Sequence, residues 1–241
     1  MFSKLLSILL LLSIPFLTIG QSPYEINWKT DGPLLGGGIG VLTISYIIGK
    51  KCTPFDEEGL RQLNAEDVWS FDRPTTRRWS LGAQKYSDLF LTSTFALPTT
   101  LLLDSRVNNY PEQLGLLYLE TLVINTALTN LVKNIVKRPR PFAYNPDPAI
   151  PFNIKLKADA RRSYFSGHTS ISASMSFLTA KMYSDFHPDG DARPFIWGTA
   201  ALIPAVTGYL RVRGGKHFPT DVITGYVVGA LVGILVPSLH K

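Results

Sequence analysis

Six stretches of helical length, each rich in apolar residues, are the strongest constraint that this sequence places on its fold. They cover residues 34–49, 86–103, 114–136, 168–183, 195–212 and 221–239. No run with the alternation typical of a half-buried strand competes with them. Prolines and glycines such as Pro111, Pro141 and Gly214 stand between them, where helices tend to begin or end. The sequence therefore predicts an all-α fold, a single helical bundle of about six helices.

The first twenty residues have the pattern of a secretory signal peptide. Lys4 precedes an apolar run at residues 5–16, and small residues follow up to Gly20. This run is shorter than the roughly 20 apolar residues that a spanning helix needs. We predict a signal peptide at residues 1–20, with an uncleaved anchor as the alternative. An N-terminal helix and loop region at 21–85 and a catalytic core at 86–241 follow.

The hydropathy of the segments indicates a bundle that touches a membrane without facing lipid on all sides. Segment 114–136 contains Glu120, Asn125, Asn130 and Lys133, which a helix surrounded by lipid does not tolerate. We expect the two asparagines to form interhelical hydrogen bonds. Residues 222–236 are uncharged and are the best candidate for a membrane-spanning helix, although a buried core helix would have the same apolar composition.

Charge is concentrated at one end of the predicted bundle. The chain carries 24 Lys and Arg against 18 Asp and Glu, a formal charge of +6, and residues 137–167 alone hold seven basic against two acidic residues. If the helices alternate in direction, this loop lies at the same end as residues 50–85 and 211–220. Such an end favours an anionic partner. A single cysteine, Cys52, excludes an internal disulfide and a cysteine metal cluster.

Two motifs in this basic end have both a structural and a functional interpretation. Lys133 and Arg140 are separated by six residues; they either cap the end of a helix or hold different oxygens of one phosphate. Ser166, Gly167 and His168 precede a helical segment. They form either a helix N-cap with an incidental histidine or an anion site whose histidine donates a proton to a leaving oxygen.

A third motif joins Arg211, His217 and Asp221. If the last helix begins near residues 218–221, the Asp221 carboxylate can reach one imidazole nitrogen and leave the other directed into the site. That arrangement orients a nucleophilic histidine. A histidine four residues from an aspartate would be unremarkable alone, but all three motifs fall at one end of one bundle.

Together the motifs resemble those of the superfamily of type 2 phosphatidic acid phosphatases, bacterial nonspecific acid phosphatases and vanadium haloperoxidases. The signature K-x6-R-P, P-S-G-H and S-R-x5-H-x3-D is similar to Lys133 with Arg140-Pro141, Ser166-Gly167-His168, and Arg211 with His217 and Asp221. The resemblance covers roughly residues 86–240. Phe165 and Leu210 replace the usual Pro and Ser; neither position supplies a charged catalytic group.

The resemblance implies hydrolysis of a phosphomonoester or pyrophosphate through a phosphohistidine. It implies His217 as the nucleophile, Asp221 as the residue that orients it, and His168 as the general acid and base. The residues implied to bind the substrate phosphate are Lys133, Arg140, Ser166, Gly167 and Arg211. It implies no metal and no cofactor, with vanadate or phosphate binding as an inhibitor.

The expected substrate is a phosphorylated lipid, by family analogy phosphatidic acid, phosphatidylglycerol phosphate, a polyprenyl pyrophosphate or lipid A. A secreted, soluble nonspecific acid phosphatase acting on small phosphate esters is the first alternative, and a vanadium-dependent haloperoxidase is the second. A non-catalytic phosphate-binding protein is least favoured, because it would not need both histidines. Nothing points to nucleic acid.

We expect a membrane-associated enzyme of the cell envelope whose active site faces the periplasm, with a soluble periplasmic or secreted protein as the alternative. A cleaved signal peptide followed by six crossing segments would instead put the site in the cytoplasm. A cleaved signal peptide is compatible with a periplasmic active site only if segment 34–49 does not cross the membrane, or if the domain does not span the membrane at all.

Overall fold

The structure is a computed structural model that describes residues 22–241, so the predicted signal peptide lies outside the described residues. Within 22–241 the chain forms helices, turns and loops and contains no strand, which confirms the predicted all-α bundle. The six long helices are α1 (Trp28–Lys50), α2 (Leu81–Thr94), α3 (Pro111–Val136), α4 (Gly167–Phe186), α5 (Arg193–Arg213) and α6 (Pro219–Ser238). Short helices lie at Glu57–Arg61, Pro141–Tyr144 and Phe152–Lys155, and 3-10 turns at Ala65–Asp67, Arg73–Arg77, Pro98–Leu103 and Ala158–Arg161.

Two helix boundaries differ most from the sequence prediction. Helix α1 begins six residues before the predicted 34–49 segment, because the Asn27 side chain accepts a hydrogen bond from the backbone N–H of Lys29 (3.0 Å) and caps a polar first turn. Helix α2 ends at Thr94, and the rest of the predicted 86–103 segment is turns and a 3-10 helix that starts at Pro98. Proline cannot continue an α-helix through its own position without losing a backbone hydrogen bond.

Helix α4 is the centre of the bundle. It packs against α2, α3, α5 and α6, and twelve of its twenty residues are buried. Helix α1 packs along α3 on the outside. The central position of α4 brings the loop before it, which carries Ser166, between the ends of its neighbours.

Close contact between α4 and α6 depends on small residues at a four-residue spacing. A Cβ on Gly225 would lie 2.5 Å from the carbonyl oxygen of Ser166, and one on Gly229 would overlap the carbonyl of Ser170. The Gly-rich patch at 36–40, which also suggests close packing, behaves differently. Of its four glycines only Gly38 lies against another helix, where an added Cβ would be 2.7 Å from Val123. An added Cβ at each of the other three would have nothing within 4 Å.

Four helical stretches are long and apolar enough to cross a membrane: Trp28–Lys50, Pro111–Tyr144, Arg193–Arg213 and Pro219–Ser238. Their outward side chains include large exposed apolar residues such as Ile44, Leu202 and Leu231. Apolar surface of this extent is typical of contact with lipid. These helices support membrane association, and the buried α4 is enclosed by its neighbours.

Candidate active site

The structure brings all the sequence-predicted site residues to one end of the bundle. The end of α3 carries Lys133, the start of α4 carries His168, the end of α5 carries Arg211 and the start of α6 carries Asp221. Their loops are joined by the backbone N–H of Ser166, which donates to the carbonyl of Asp221 (2.9 Å). Residues that are up to 88 positions apart in sequence therefore lie at the same end of the bundle.

Arg140 holds its guanidinium in place with several hydrogen bonds. Nε donates to the carbonyl of Asp159 and Nη2 to its Oδ1, each at 2.9 Å, and Nη1 donates to the carbonyl of Lys216 (3.0 Å). Burial opposes ionisation of Asp159, but the charge and hydrogen bond of Arg140, together with the charges of Lys133 and Lys216, outweigh it and lower the pKa of that carboxyl. The same Nη1 lies 3.0 Å from Nε2 of His217.

Lys133 and Arg211 complete a set of three buried cations. The Nζ of Lys133 donates to the carbonyl of Arg162 (2.8 Å), and Lys133 is 8% exposed. Arg211, 5% exposed, places Nη1 3.2 Å from Oγ of Ser87 and 3.4 Å from Oδ1 of Asp88. Buried cations with few carboxylate partners favour the arrival of an anion, since burial otherwise penalises each charge.

Ser166 and Gly167 shape the start of α4. The Oγ of Ser166 accepts from the backbone N–H of Thr169 (3.4 Å) and pairs with its Oγ1 (2.9 Å), so the serine side chain caps the helix. A Cβ on Gly167 would lie 3.7 Å from Cε of Lys133, so this turn passes directly beside the lysine stem. The first N–H groups of a helix have no partner within the helix and attract anions.

His217 is fully enclosed, with 1% of its surface exposed. Arginine has only donors, so the Arg140 contact requires Nε2 to be the acceptor and places the proton of the neutral ring on Nδ1. Burial is the largest cause that lowers the pKa of His217 well below its usual value, followed by the charges of Arg140, Lys133, Arg211 and His168. The ring is therefore neutral, with a lone pair on the nitrogen that faces the cations.

The predicted hydrogen bond between Asp221 and His217 is not formed in the structure. Helix α6 does begin at Pro219, as the prediction required, but Oδ2 of Asp221 lies 3.6 Å from Nδ1 of His217. That Nδ1 has no hydrogen-bond partner among the described residues. The Asp221 oxygens instead accept from the N–H of Phe218 (2.9 Å) and from Oγ of Ser163 (2.5 Å).

Arg138 is a site residue that the sequence did not single out. Its Nη1 donates to Oδ1 of Asp221 (2.6 Å), its Nη2 donates to Oδ2 of Asp72 (2.8 Å), and its guanidinium lies 4.2 Å from the ring centroid of Phe218. Asp72 also accepts from the N–H of Thr220 (3.0 Å) and is 1% exposed. This carboxylate from the 50–85 loop is therefore buried beneath the start of α6.

Asp88 is the second residue that the sequence reasoning missed. Its Oδ1 lies 2.8 Å from Nε2 of His168, while its own side chain is 61% exposed. Burial and the charge of Arg211 lower the pKa of His168 to about 4, against the opposing effect of Asp88. The only sequence signal was an acidic residue inside an otherwise apolar helical stretch.

Three buried cations and two histidines at one end of a helical bundle form a site suited to a phosphoryl group, the arrangement of a helical phosphatase. The chain belongs to the PAP2 superfamily, whose family model matches residues 114–241, just over half of its length. The resemblance seen in the sequence is thereby confirmed. A similar solved structure is that of the first transmembrane PAP2 type phosphatidylglycerolphosphate phosphatase from Bacillus subtilis. The two chains are 17% identical, the match covers 87% of this chain and 95% of that one, and the TM-score is 0.49.

Proposed function

We propose that this PAP2 superfamily member is a lipid phosphate phosphatase that works through a phosphohistidine on His217. The observation that supports this most strongly is the contact between Nη1 of Arg140 and Nε2 of a buried, neutral His217. The guanidinium points at the nitrogen that would attack phosphorus. A phosphate oxygen that replaces His217 as the acceptor for Arg140 frees the Nε2 lone pair for attack.

In the first half of the reaction, Nε2 of His217 forms a bond to phosphorus while the bond from phosphorus to the ester oxygen breaks. His168 gives its proton to the departing oxygen, which leaves as an alcohol. In the second half, His168 takes a proton from water, the resulting hydroxide oxygen bonds to phosphorus, and the bond to His217 breaks. The products are the alcohol and inorganic phosphate, and the enzyme returns to its starting protonation.

The cations Lys133, Arg140 and Arg211, with the N–H groups that follow Ser166, hold the phosphoryl oxygens in this proposal. Fixed donors of this kind contribute on the order of 3 kcal/mol each to transition-state stabilisation. Asp221 acts on the Nδ1–H of His217 from 3.6 Å, and a small shift on substrate binding would form the hydrogen bond. Because three cations supply the positive charge, the proposed chemistry needs no catalytic metal, and we expect turnover to persist in excess EDTA.

The substrate we propose is a lipid that carries a phosphomonoester or pyrophosphate. Support comes from helices whose apolar, exposed surfaces suit a bilayer and from a basic site at the end of those helices, the depth at which lipid headgroups lie. The test is phosphate release from a panel of lipid and water-soluble phosphates, with and without detergent. Full activity on small esters without detergent would favour the soluble acid phosphatase instead, and peroxide-dependent bromide oxidation with vanadate would favour the haloperoxidase.

We propose that the site faces the periplasm, the orientation in which an envelope enzyme meets exported lipid. Helix α1 is 23 residues long and ends at Lys50 on the side of the site, so this orientation requires that α1 does not cross the membrane after a cleaved signal peptide. Two single-cysteine variants in a Cys52→Ser background test this. One replaces the exposed Arg77, beside the site, and the other replaces the exposed Asp189, at the other end. Labelling of position 77 alone by an impermeant thiol reagent in intact cells supports the proposal, and labelling of position 189 alone contradicts it.

A further inference from the structure

A second group of titratable side chains lies at the end of the bundle opposite the candidate active site. Asp31 comes from the first turn of α1, Glu120 from the middle of α3, and His240 from the turn that follows α6. All three are buried, with 6%, 0% and 3% exposure. Nε2 of His240 lies 2.8 Å from Oδ1 of Asp31 and 3.1 Å from Oε2 of Glu120.

The backbone orients the ring of His240. Its Nδ1 lies 2.8 Å from the carbonyl oxygen of Val236, which only accepts, so Nδ1 carries a proton. Without an ion, a second proton on Nε2 forms the hydrogen bond to Oδ1 of Asp31. A bound metal ion would replace that proton and take the Nε2 lone pair. A histidine whose other ring nitrogen donates to a backbone carbonyl is the usual arrangement for a metal ligand.

Glu120 provides the independent evidence that a ligand binds here. Its side chain is fully buried, yet neither carboxylate oxygen has a hydrogen-bond partner among the described residues. The contact of Oε2 with His240 is close but does not have hydrogen-bond geometry. Burying a carboxylate without partners is costly, and such groups are normally paired or coordinate a metal. One protonated imidazole would supply a single positive charge against two carboxylates.

We propose that Asp31, Glu120 and His240 together bind one divalent ion of the first transition series, such as Zn²⁺ or Mn²⁺. One ligand atom from each residue falls within 4.8 Å of the others, so a single ion can contact all three. Two carboxylates with a neutral imidazole balance a charge of +2. A site that includes imidazole nitrogen suits these ions better than Ca²⁺ or Mg²⁺, which prefer oxygen ligands alone.

The ion would be structural, because it joins three separate parts of the chain far from the site of chemistry. Glu120 precedes Lys133 by thirteen residues on the same helix, which corresponds to about 20 Å along the axis. The backbone N–H of Glu25 also donates to the carbonyl of His240 (2.7 Å). Metal binding therefore fastens the start of α1 to α3 and to the C-terminal turn, and it does so whether or not the proposed phosphatase function holds.

The test uses the full chain in detergent, purified through a tag that contains no histidine. After EDTA treatment and desalting, separate samples are incubated with Zn²⁺, Mn²⁺, Ca²⁺ or Mg²⁺, desalted again and analysed for metal by mass spectrometry. We expect about one equivalent in the wild type and less than a tenth of that in Glu120→Gln. We also expect the metal to raise the Tm of the wild type by about 5 °C or more, and not to raise the Tm of Glu120→Gln.

His187→Gln is the matched control, because His187 also lies beside a carboxylate at this end, 3.2 Å from Asp104, and should leave both results unchanged. Wild-type protein that retains no more metal than Glu120→Gln, with a Tm that does not respond, overturns the proposal. Retention of Ca²⁺ or Mg²⁺ alone overturns the assigned metal class. If Glu120→Gln does not fold, Asp31→Asn replaces it, and the wild-type Tm comparison with and without metal needs no variant.

Discussion

Nη1 of Arg140 donates a hydrogen bond to Nε2 of His217 across 3.0 Å, although the two residues are 77 positions apart in the chain. The contact joins the loop after α3 to the loop before α6 and directs the imidazole into a cluster of cations. Because a guanidinium cannot accept a hydrogen bond, it also selects the tautomer whose Nε2 carries the lone pair and accepts from Arg140. One interaction thus prepares both the nucleophile and the charge that would meet a phosphoryl group.

His217→Ala should abolish turnover while phosphate or vanadate binding is partly retained. Removal of a nucleophile that forms a covalent intermediate typically costs a factor of about 10⁴ or more in kcat, whereas the three cations that hold the anion remain. Phosphate release and isothermal titration with vanadate measure the two effects. Retention of most of the wild-type kcat would refute His217 as the nucleophile, and His187→Ala, at the other end of the bundle, is the control.

The pH dependence of the reaction should follow His168. Burial and Arg211 lower its pKa to about 4 in the free enzyme, and a general acid must be protonated to act, so kcat/KM should fall as the pH rises above about 4. A bound phosphate dianion raises the pKa of His168, so kcat should fall only at higher pH. Profiles on a soluble phosphate ester measure both, and the same profiles of His168→Ala correct for ionisation of the substrate. If kcat and kcat/KM fell over the same pH range, the proposed rise in the pKa of His168 on phosphate binding would be contradicted.

Asp88→Asn should shift the alkaline limb of kcat/KM to lower pH. The carboxylate lies 2.8 Å from Nε2 of His168 and raises the pKa of that histidine, so its loss disfavours the protonated ring. In a His168→Ala background the same substitution should cause no further shift of that limb, since Asp88 affects it through His168. Additive losses in the double variant would show that Asp88 acts elsewhere.

Arg138→Gln should destabilise the protein by about 3 kcal/mol, because it leaves two buried carboxylates without their shared cation. Arg138 donates to Asp72 and to Asp221, which are 1% and 0% exposed. The Tm in detergent measures the loss, with Arg213→Gln as an exposed control that makes no ion pair among those found in residues 22–241. Equal Tm values for the two variants would contradict the conclusion that Arg138 stabilises the buried Asp72 and Asp221 carboxylates.

The features that could be predicted from sequence are those that depend on residues near one another in the chain. The apolar stretches and their proline boundaries indicated six helices, and the last helix starts at Pro219, within the 218–221 range on which the interpretation of His217 and Asp221 depended. The basic loops indicated an anion site. Each of these inferences needs only the geometry of one helix or one turn, so periodicity and charge suffice.

Contacts between separate helices were decided by the tertiary structure alone. Asp88 meets His168 across 80 positions, and Arg138 meets Asp72 across 66, because α4 packs against α2 and the loop before α2 folds under α6. Asp31 and His240 meet across 209 positions. Sequence patterns report which face of a helix is apolar, but which polar residue opposes another depends on how the helices pack. Small residues such as Gly225 set that packing here by letting backbones approach.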